Sequence, residues 1–238
     1  MLGSRRTRRP RALGAAAACI AALSMSGCGT DLHPGLAASV NGTPITEATI
    51  DDLIVAVCAF NEIERKKQGG TEPSQSIQTL RSSLVESLVI VEITDQAAEE
   101  RGVTVSDALI DKNAAGTAVP SELPDDQEEL LREFLQNRTE QALQQGVIGA
   151  NLQDPSVTTA DNIRQSDVSA ANAYLLDYAN KQDVEIAPRY GSWNGQRLEF
   201  GTGSLSDPVS TTAQPTPVPG QPPSTEETPT PPASQRCG

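Results

Sequence analysis

The sequence predicts a mainly α fold: a helical bundle with a small β element formed by the first and last strands, and then a disordered C-terminal tail. Three observations carry this. Apolar residues recur at helical spacing in successive segments between Thr46 and Asn180, the pattern of helices that bury one face. Strand-like patterning is limited to the short stretch Val40–Ile45 and to Val184–Phe200. From Gly203 the chain is mostly Pro, Thr, Ser and Gln, and nine of its 17 prolines lie from Pro208 onward. Such a composition buries too little apolar surface to offset the cost of ordering it.

The N-terminus reads as an export signal. Arg5, Arg6, Arg8, Arg9 and Arg11 make a basic n-region, and Ala12 to Leu23 form a twelve-residue apolar run. That run suits a signal peptide and is too short to span a bilayer. Met25-Ser26-Gly27-Cys28 follows and resembles a bacterial lipobox. The resemblance implies cleavage before Cys28 and a diacylglycerol on its sulfur, which anchors the chain. Arg5-Arg6 lacks the apolar residues expected soon after a twin-arginine pair, so the general secretory route is expected. The expected organisation is a lipoprotein signal peptide over 1–27, a lipidated tether over 28–38, a helical domain over 39–203 and a Pro/Thr/Ser-rich disordered tail over 204–238.

Charge narrows the partners. The formal net charge is −13, and it falls to −18 without the five arginines of the first 27 residues, a segment that has no acid. A chain this acidic is not expected to bind nucleic acid, which demands clustered Lys and Arg. The same charge opposes a broad electrostatic hold on anionic lipid. Roughly 165 residues remain between tether and tail, enough for a hydrophobic core.

Each element has a local cause. Asn41-Gly42 suits a tight turn because it accepts positive φ. Thr46 is placed to cap a first helix, with Ile45 and Ile50 as a hydrophobic staple and Glu47, Asp51 and Asp52 at the positive end of its dipole. Ile50, Leu53, Ile54 and Val57 give its buried face, and it should end near Lys67, before Gly69-Gly70. A longer helix is expected from about Ser74 to Arg101, its broad apolar face carried by Leu80, Leu84, Val85, Leu88, Val89 and Ile93. Gly102 then stands where helices commonly stop. Ser106 caps a third helix, with Val105 and Ile110 as a second staple. A fourth follows Pro124 and is expected to close at Gly146, and a fifth lies within Thr159–Asn180. Alternation at Val184 and Ile186, then a hairpin around Asn194-Gly195, completes the fold.

Two stretches resemble a known family. Ala38-Ser39-Val40-Asn41-Gly42-Thr43-Pro44-Ile45-Thr46, ahead of an acidic helix start, is similar to the opening of SurA/PrsA extracytoplasmic chaperones. Leu84 to Asp111, with Ala97-Ala98-Glu99-Glu100-Arg101-Gly102-Val103-Thr104-Val105-Ser106, looks like the second motif of that family's N-terminal helical module. Together they span about residues 38–111. The whole chain also looks like SurA N-terminal-like lipoproteins of high-GC Gram-positive bacteria, several of which carry a Pro-Arg-Tyr/Phe-Gly…Trp segment, here Pro188 to Trp193. The resemblance implies a SurA N-terminal-like bundle that binds unfolded or newly exported polypeptides. Many relatives insert a parvulin prolyl-isomerase domain with two histidines. The single histidine here, His33, falls in the tether, so no isomerase site is expected.

Other chemistry is equally unsupported. One histidine outside the core leaves no Ser-His-Asp or Cys-His arrangement, and neither metal-ligand spacing nor a phosphate-cradling loop is present. The acid pairs Asp51-Asp52, Asp125-Asp126 and Glu128-Glu129 read as surface groups at helix starts. No enzyme activity, metal or other cofactor is expected.

Four cysteines remain to be placed. Cys19 leaves with the signal and Cys28 takes the lipid. For Cys58 and Cys237 two readings stay open: a disulfide that clasps the tail to the first helix in an oxidising compartment, or a buried inert Cys58 with a free tail thiol. Five of seven aromatics fall between Tyr174 and Phe200. Most are expected in the core, with Trp193 the best candidate for exposure and Tyr190 its companion as a client contact. The expected function is therefore a lipid-anchored, extracytoplasmic chaperone-like protein. Its rivals are a structural or interaction lipoprotein with one cell-envelope partner, or a small-molecule-binding lipoprotein.

Overall fold

The computed structural model describes residues 34–70, 75–116, 119–159, 164–199 and 232–237. The fold is mainly helical. Its elements in order are β1 (Leu36–Val40), β2 (Thr43–Thr46), α1 (Glu47–Lys67), β3 (Gln75–Ser76), α2 (Ile77–Glu100), α3 (Asp107–Ala114), α4 (Asp125–Gln153), α5 (Gln165–Ala179), β4 (Val184–Ile186), β5 (Ser192–Trp193), β6 (Leu198–Glu199) and β7 (Arg236–Cys237). The signal segment, Cys28 and His33 lie outside the described residues, as do Ser74, Ile163 and Phe200.

The first sheet has the order β2-β1-β4, with both pairings antiparallel. Early and late strands therefore meet, Ala38 opposite Ile186 and Val40 opposite Val184. The turn between β1 and β2 places Asn41 at φ 50° and Gly42 at φ 85°, the left-handed geometry that Asn-Gly tolerates. Asn41 also fastens the sheet to the bundle. Its Nδ2 donates to Gln96 Oε1 at 2.5 Å and to Gln182 Oε1 at 2.6 Å. Its Oδ1 accepts from the Asp183 amide at 2.9 Å.

Strand β1 begins at Leu36, inside the 28–38 segment expected to be tether. Ala37 and Ala38 are fully buried; their small side chains let the strand run between its neighbours and the bundle with both faces covered.

Helix starts follow the expected chemistry. Thr46 accepts from the Thr49 amide at 3.1 Å, and Ile45 and Ile50 are both buried beside it. Ser76 caps α2, so this helix starts at Ile77, and Gln75–Ser76 instead pair with Arg236–Cys237. Helix α4 corrects the reading of Gly146. The helix continues past it to Gln153, and a second glycine, Gly149, serves a helix crossing. A Cβ on Gly149 would lie 1.7 Å from the backbone oxygen of Asp167 in α5, so only glycine permits this approach.

Three apolar clusters result. The largest joins the sheet to α1 and α2 through Val40, Ile50, Leu53, Val85 and Val89. A second fills the space between the end of α2, α4 and α5 with Ala97, Val147, Ile148 and Ala171. A third lies between α1 and α4 around Ala56, Leu123 and Leu131. Helix α2 is the shared spine of the first two.

The chain's end departs from the expected 204–238 tail. Residues 233–235 form a 3-10 turn and β7 follows it. Cys237 is 7% exposed within the main cluster and forms a disulfide with Cys58 of α1, their Cα atoms 5.1 Å apart. Pro and Thr content hides this, because the end of the chain is placed by a disulfide and by pairing with Gln75–Ser76, neither of which composition shows.

Candidate functional site

Ile90, Ile93 and Thr94 of α2 form one wall of a cleft of about 270 Å³. Helix α4 supplies Gln141 and Gln145, and α5 supplies Asn172, Leu175, Leu176 and Ala179. Trp193, Gly195 and Gln196 of the β5–β6 hairpin close the remaining side.

Each wall has a local cause. Thr94 donates its hydroxyl to the Ile90 carbonyl at 2.7 Å, which satisfies that polar group within its own helix. The Gln145 amide donates to Asn172 Oδ1 and ties α4 to α5. Leu175 and Leu176 are successive on α5, about 100° apart around the axis, so one neighbour cannot cover both. Leu176 is 39% exposed, one of only two large apolar side chains so exposed among the described residues.

The hairpin is held by polar contacts at its turn and base. Asn194 Oδ1 accepts from the amides of Gln196 and Arg197, each at 3.0 Å. The Leu198 amide donates to Glu86 Oε1 of α2 at 3.2 Å, and Leu198 is buried beneath. Trp193 is half-buried and packs against the main cluster. Its indole Nε1 is buried without a hydrogen-bond partner, an uncompensated donor that costs about 1–3 kcal/mol.

Two other recesses have different chemistry. One of about 590 Å³ lies where α4 ends and α5 begins, lined by Gln153, Ser156, Thr158, Arg164 and Asp167 among others. It is the larger, yet its polar groups are spent on one another. Arg164 hydrogen-bonds the buried Asp167 through side chain and backbone and holds that carboxyl below the usual range. Gln153 Nε2 adds a bond at 2.8 Å. The other recess, about 280 Å³, is lined by Glu92, Asp95 and Glu140 together with Ile45, Leu88 and Val91. Burial pushes Asp95 up to about 6, with Glu140 and Glu92 adding to the rise against a hydrogen bond from Gln144.

The site residues expected from sequence separate. Trp193 is at the cleft. Tyr190 is not, which corrects its reading as a client contact: it is 2% exposed in the main cluster, and its hydroxyl donates to Glu47 Oε2 at 2.6 Å. The Cys58–Cys237 disulfide joins α1 and β7 and contributes nothing to the cleft lining. Cys28 lies outside the described residues. Periodicity alone missed Ile90, Leu176, Gln145 and Asn172; the adjacent leucines on α5 were the available signal for Leu176. Asp51-Asp52 and Asp125-Asp126 are exposed near helix starts, and no helix among the described residues is long and apolar enough to cross a membrane.

The chain matches no family model, and no curated protein and no solved structure shows significant similarity to it.

Proposed function

We propose that this is a membrane-anchored extracytoplasmic chaperone-like protein that binds unfolded or newly exported polypeptides in the α2–α5 cleft, without isomerase activity or cofactor. The observation that carries the reading is the cleft itself. Its lining combines aliphatic side chains with amides and no charge, and it includes an exposed leucine and the only tryptophan. An extended chain offers both partners: apolar side chains for the floor, and backbone N–H and C=O groups for the amides. Apolar surface of this kind accepts many sequences because hydrophobic burial is non-directional.

The helical body is read as SurA N-terminal-like on the motifs around Asn41-Gly42 and Arg101-Gly102. Lipid on Cys28 holds it at the outer face of the cytoplasmic membrane, close to where exported chains emerge.

Aggregation of a reduced, unfolded client tests the reading. An equimolar amount of the protein suppresses aggregation, and Leu176→Asp weakens the suppression because it places a charge at the cleft's edge. No suppression by the unaltered protein contradicts the reading. Crosslinking in cells yields many clients; a single recurrent product replaces this function with that of an interaction lipoprotein.

A further inference from the structure

The cleft contains one buried polar side chain that the fold does not use. Gln141 of α4 is 8% exposed, and its amide hydrogen-bonds no other described residue. Neither amide atom is sealed inside the protein, and Gln141 belongs to the cleft lining. The amide therefore opens into the cleft.

The other polar groups of the lining are committed or differently placed. Thr94 donates to the Ile90 carbonyl at 2.7 Å. Gln145, one turn on from Gln141 and on the same face of α4, donates to Asn172. Gln196 is exposed, and the unpartnered indole N–H of Trp193 is sealed. Gln144, also buried on α4, shows the contrast. Its amide nitrogen donates to Glu140 at 3.4 Å, and its unpartnered oxygen is sealed.

A buried amide without an internal partner destabilises the fold, and a ligand with matching groups offsets that cost. The glutamine amide donates through its nitrogen and accepts through its oxygen. A peptide group offers the same pair, a C=O to accept and an N–H to donate. A hydrocarbon leaves both unmatched. A charged group enters a lining with no charge among its twelve residues and bears the cost of desolvation. At about 270 Å³ the cleft is smaller than the roughly 300–1,000 Å³ that encloses a whole small molecule. It fits a short stretch of a longer chain.

We propose that Gln141 reads the backbone of a bound polypeptide. Its amide pairs with one peptide group of an uncharged segment whose apolar side chains meet Ile90, Ile93 and Leu176. This rests on the polypeptide-binding reading above and names the residue that lets the cleft accept many sequences, since every client offers a peptide group.

A capped peptide of Leu and Ala tests it, beside the same sequence with every internal peptide bond replaced by an ester. The ester keeps the shape of the chain and removes its N–H donors. Each is titrated into the full chain while Trp193 emission is followed. The peptide binds about tenfold more tightly than the ester, and Gln141→Leu cuts that preference about fivefold, the share of one neutral hydrogen bond. The same variant melts at or above the temperature of the parent, because it removes a buried polar group that has no internal partner. Equal affinities of peptide and ester for the parent, or a preference that Gln141→Leu leaves unchanged, overturn backbone reading by Gln141 and leave polypeptide binding standing. A lower melting temperature for the variant assigns Gln141 to the fold and overturns the proposal in the same way. Binding of neither compound overturns both readings.

Discussion

The Tyr190 hydroxyl donates to Glu47 Oε2 at 2.6 Å, joining the first residue of α1 to the segment after β4 across 143 positions of sequence. The contact closes the fold near its two ends. Glu47 also meets Arg189, and Tyr190 is held at about 12, first by burial and then by Glu47. The neighbouring Arg189 and Tyr190 are therefore structural, and within the Pro188–Trp193 segment the proposed client contact narrows to Trp193, which lines the cleft.

Tyr190→Phe removes this hydrogen bond without changing the shape of the core. The expected loss is about 1 kcal/mol of stability, read as a lower urea midpoint. Client binding is unchanged, because Tyr190 does not line the cleft.

Gly149→Ala tests the crossing of α4 and α5. Its Cβ would meet the Asp167 backbone at 1.7 Å, so the helices must separate. The expected cost is about 3 kcal/mol, well beyond the slight gain that alanine brings to an unconstrained helix position. A stability equal to or above that of the parent contradicts the close approach.

Asp95 makes stability depend on pH in a defined direction. Its carboxyl rises from an ordinary 3.8 to about 6, mainly through burial. Between those values the native state binds more protons than the unfolded one, so this group's contribution falls as pH rises from about 4 to 6 and is then constant. Asp95→Asn flattens that window and stabilises the protein at pH 7. With its partial exposure discounted, the gain is about 1 kcal/mol. Melting curves from pH 4 to 8 check it.

The Cys58–Cys237 disulfide spans 179 positions. Constraining so long a loop in the unfolded chain is expected to contribute about 2–4 kcal/mol. Reductant, or Cys58→Ser with Cys237→Ser, lowers the melting temperature. It also frees β7 from β3, and hydrogen exchange at the Gln75 and Ser76 amides follows that release.

Much of this architecture was legible in local chemistry. Thr46 with its Ile45–Ile50 staple, the Asn41-Gly42 turn and the hairpin at Asn194-Gly195 each follow from one or two residues whose preferences agree with their surroundings. The misreadings have a common physical origin. Gly146 looks like a stop because glycine ends helices in isolation, whereas it lies buried inside α4, which packs against α5 at Gly149, a partner that local sequence does not reveal. Ala37 and Ala38 look like tether because small side chains lack periodic contrast, yet both are fully buried. Cys237 sits in a segment whose composition argues against order, and it is placed by a bond to a residue far away in sequence. The cleft was half-legible: Trp193 beside a turn pointed to it, whereas Tyr190, three residues earlier, faces inward on β4's exit.

Because Trp193 is the chain's only tryptophan and lines the cleft, its emission reports occupancy directly. The decisive measurement is a titration of the full chain with an unfolded client that lacks tryptophan. The account predicts a saturable shift in Trp193 emission that is weakened by Leu176→Asp. An emission spectrum that stays constant while client is added in excess contradicts it.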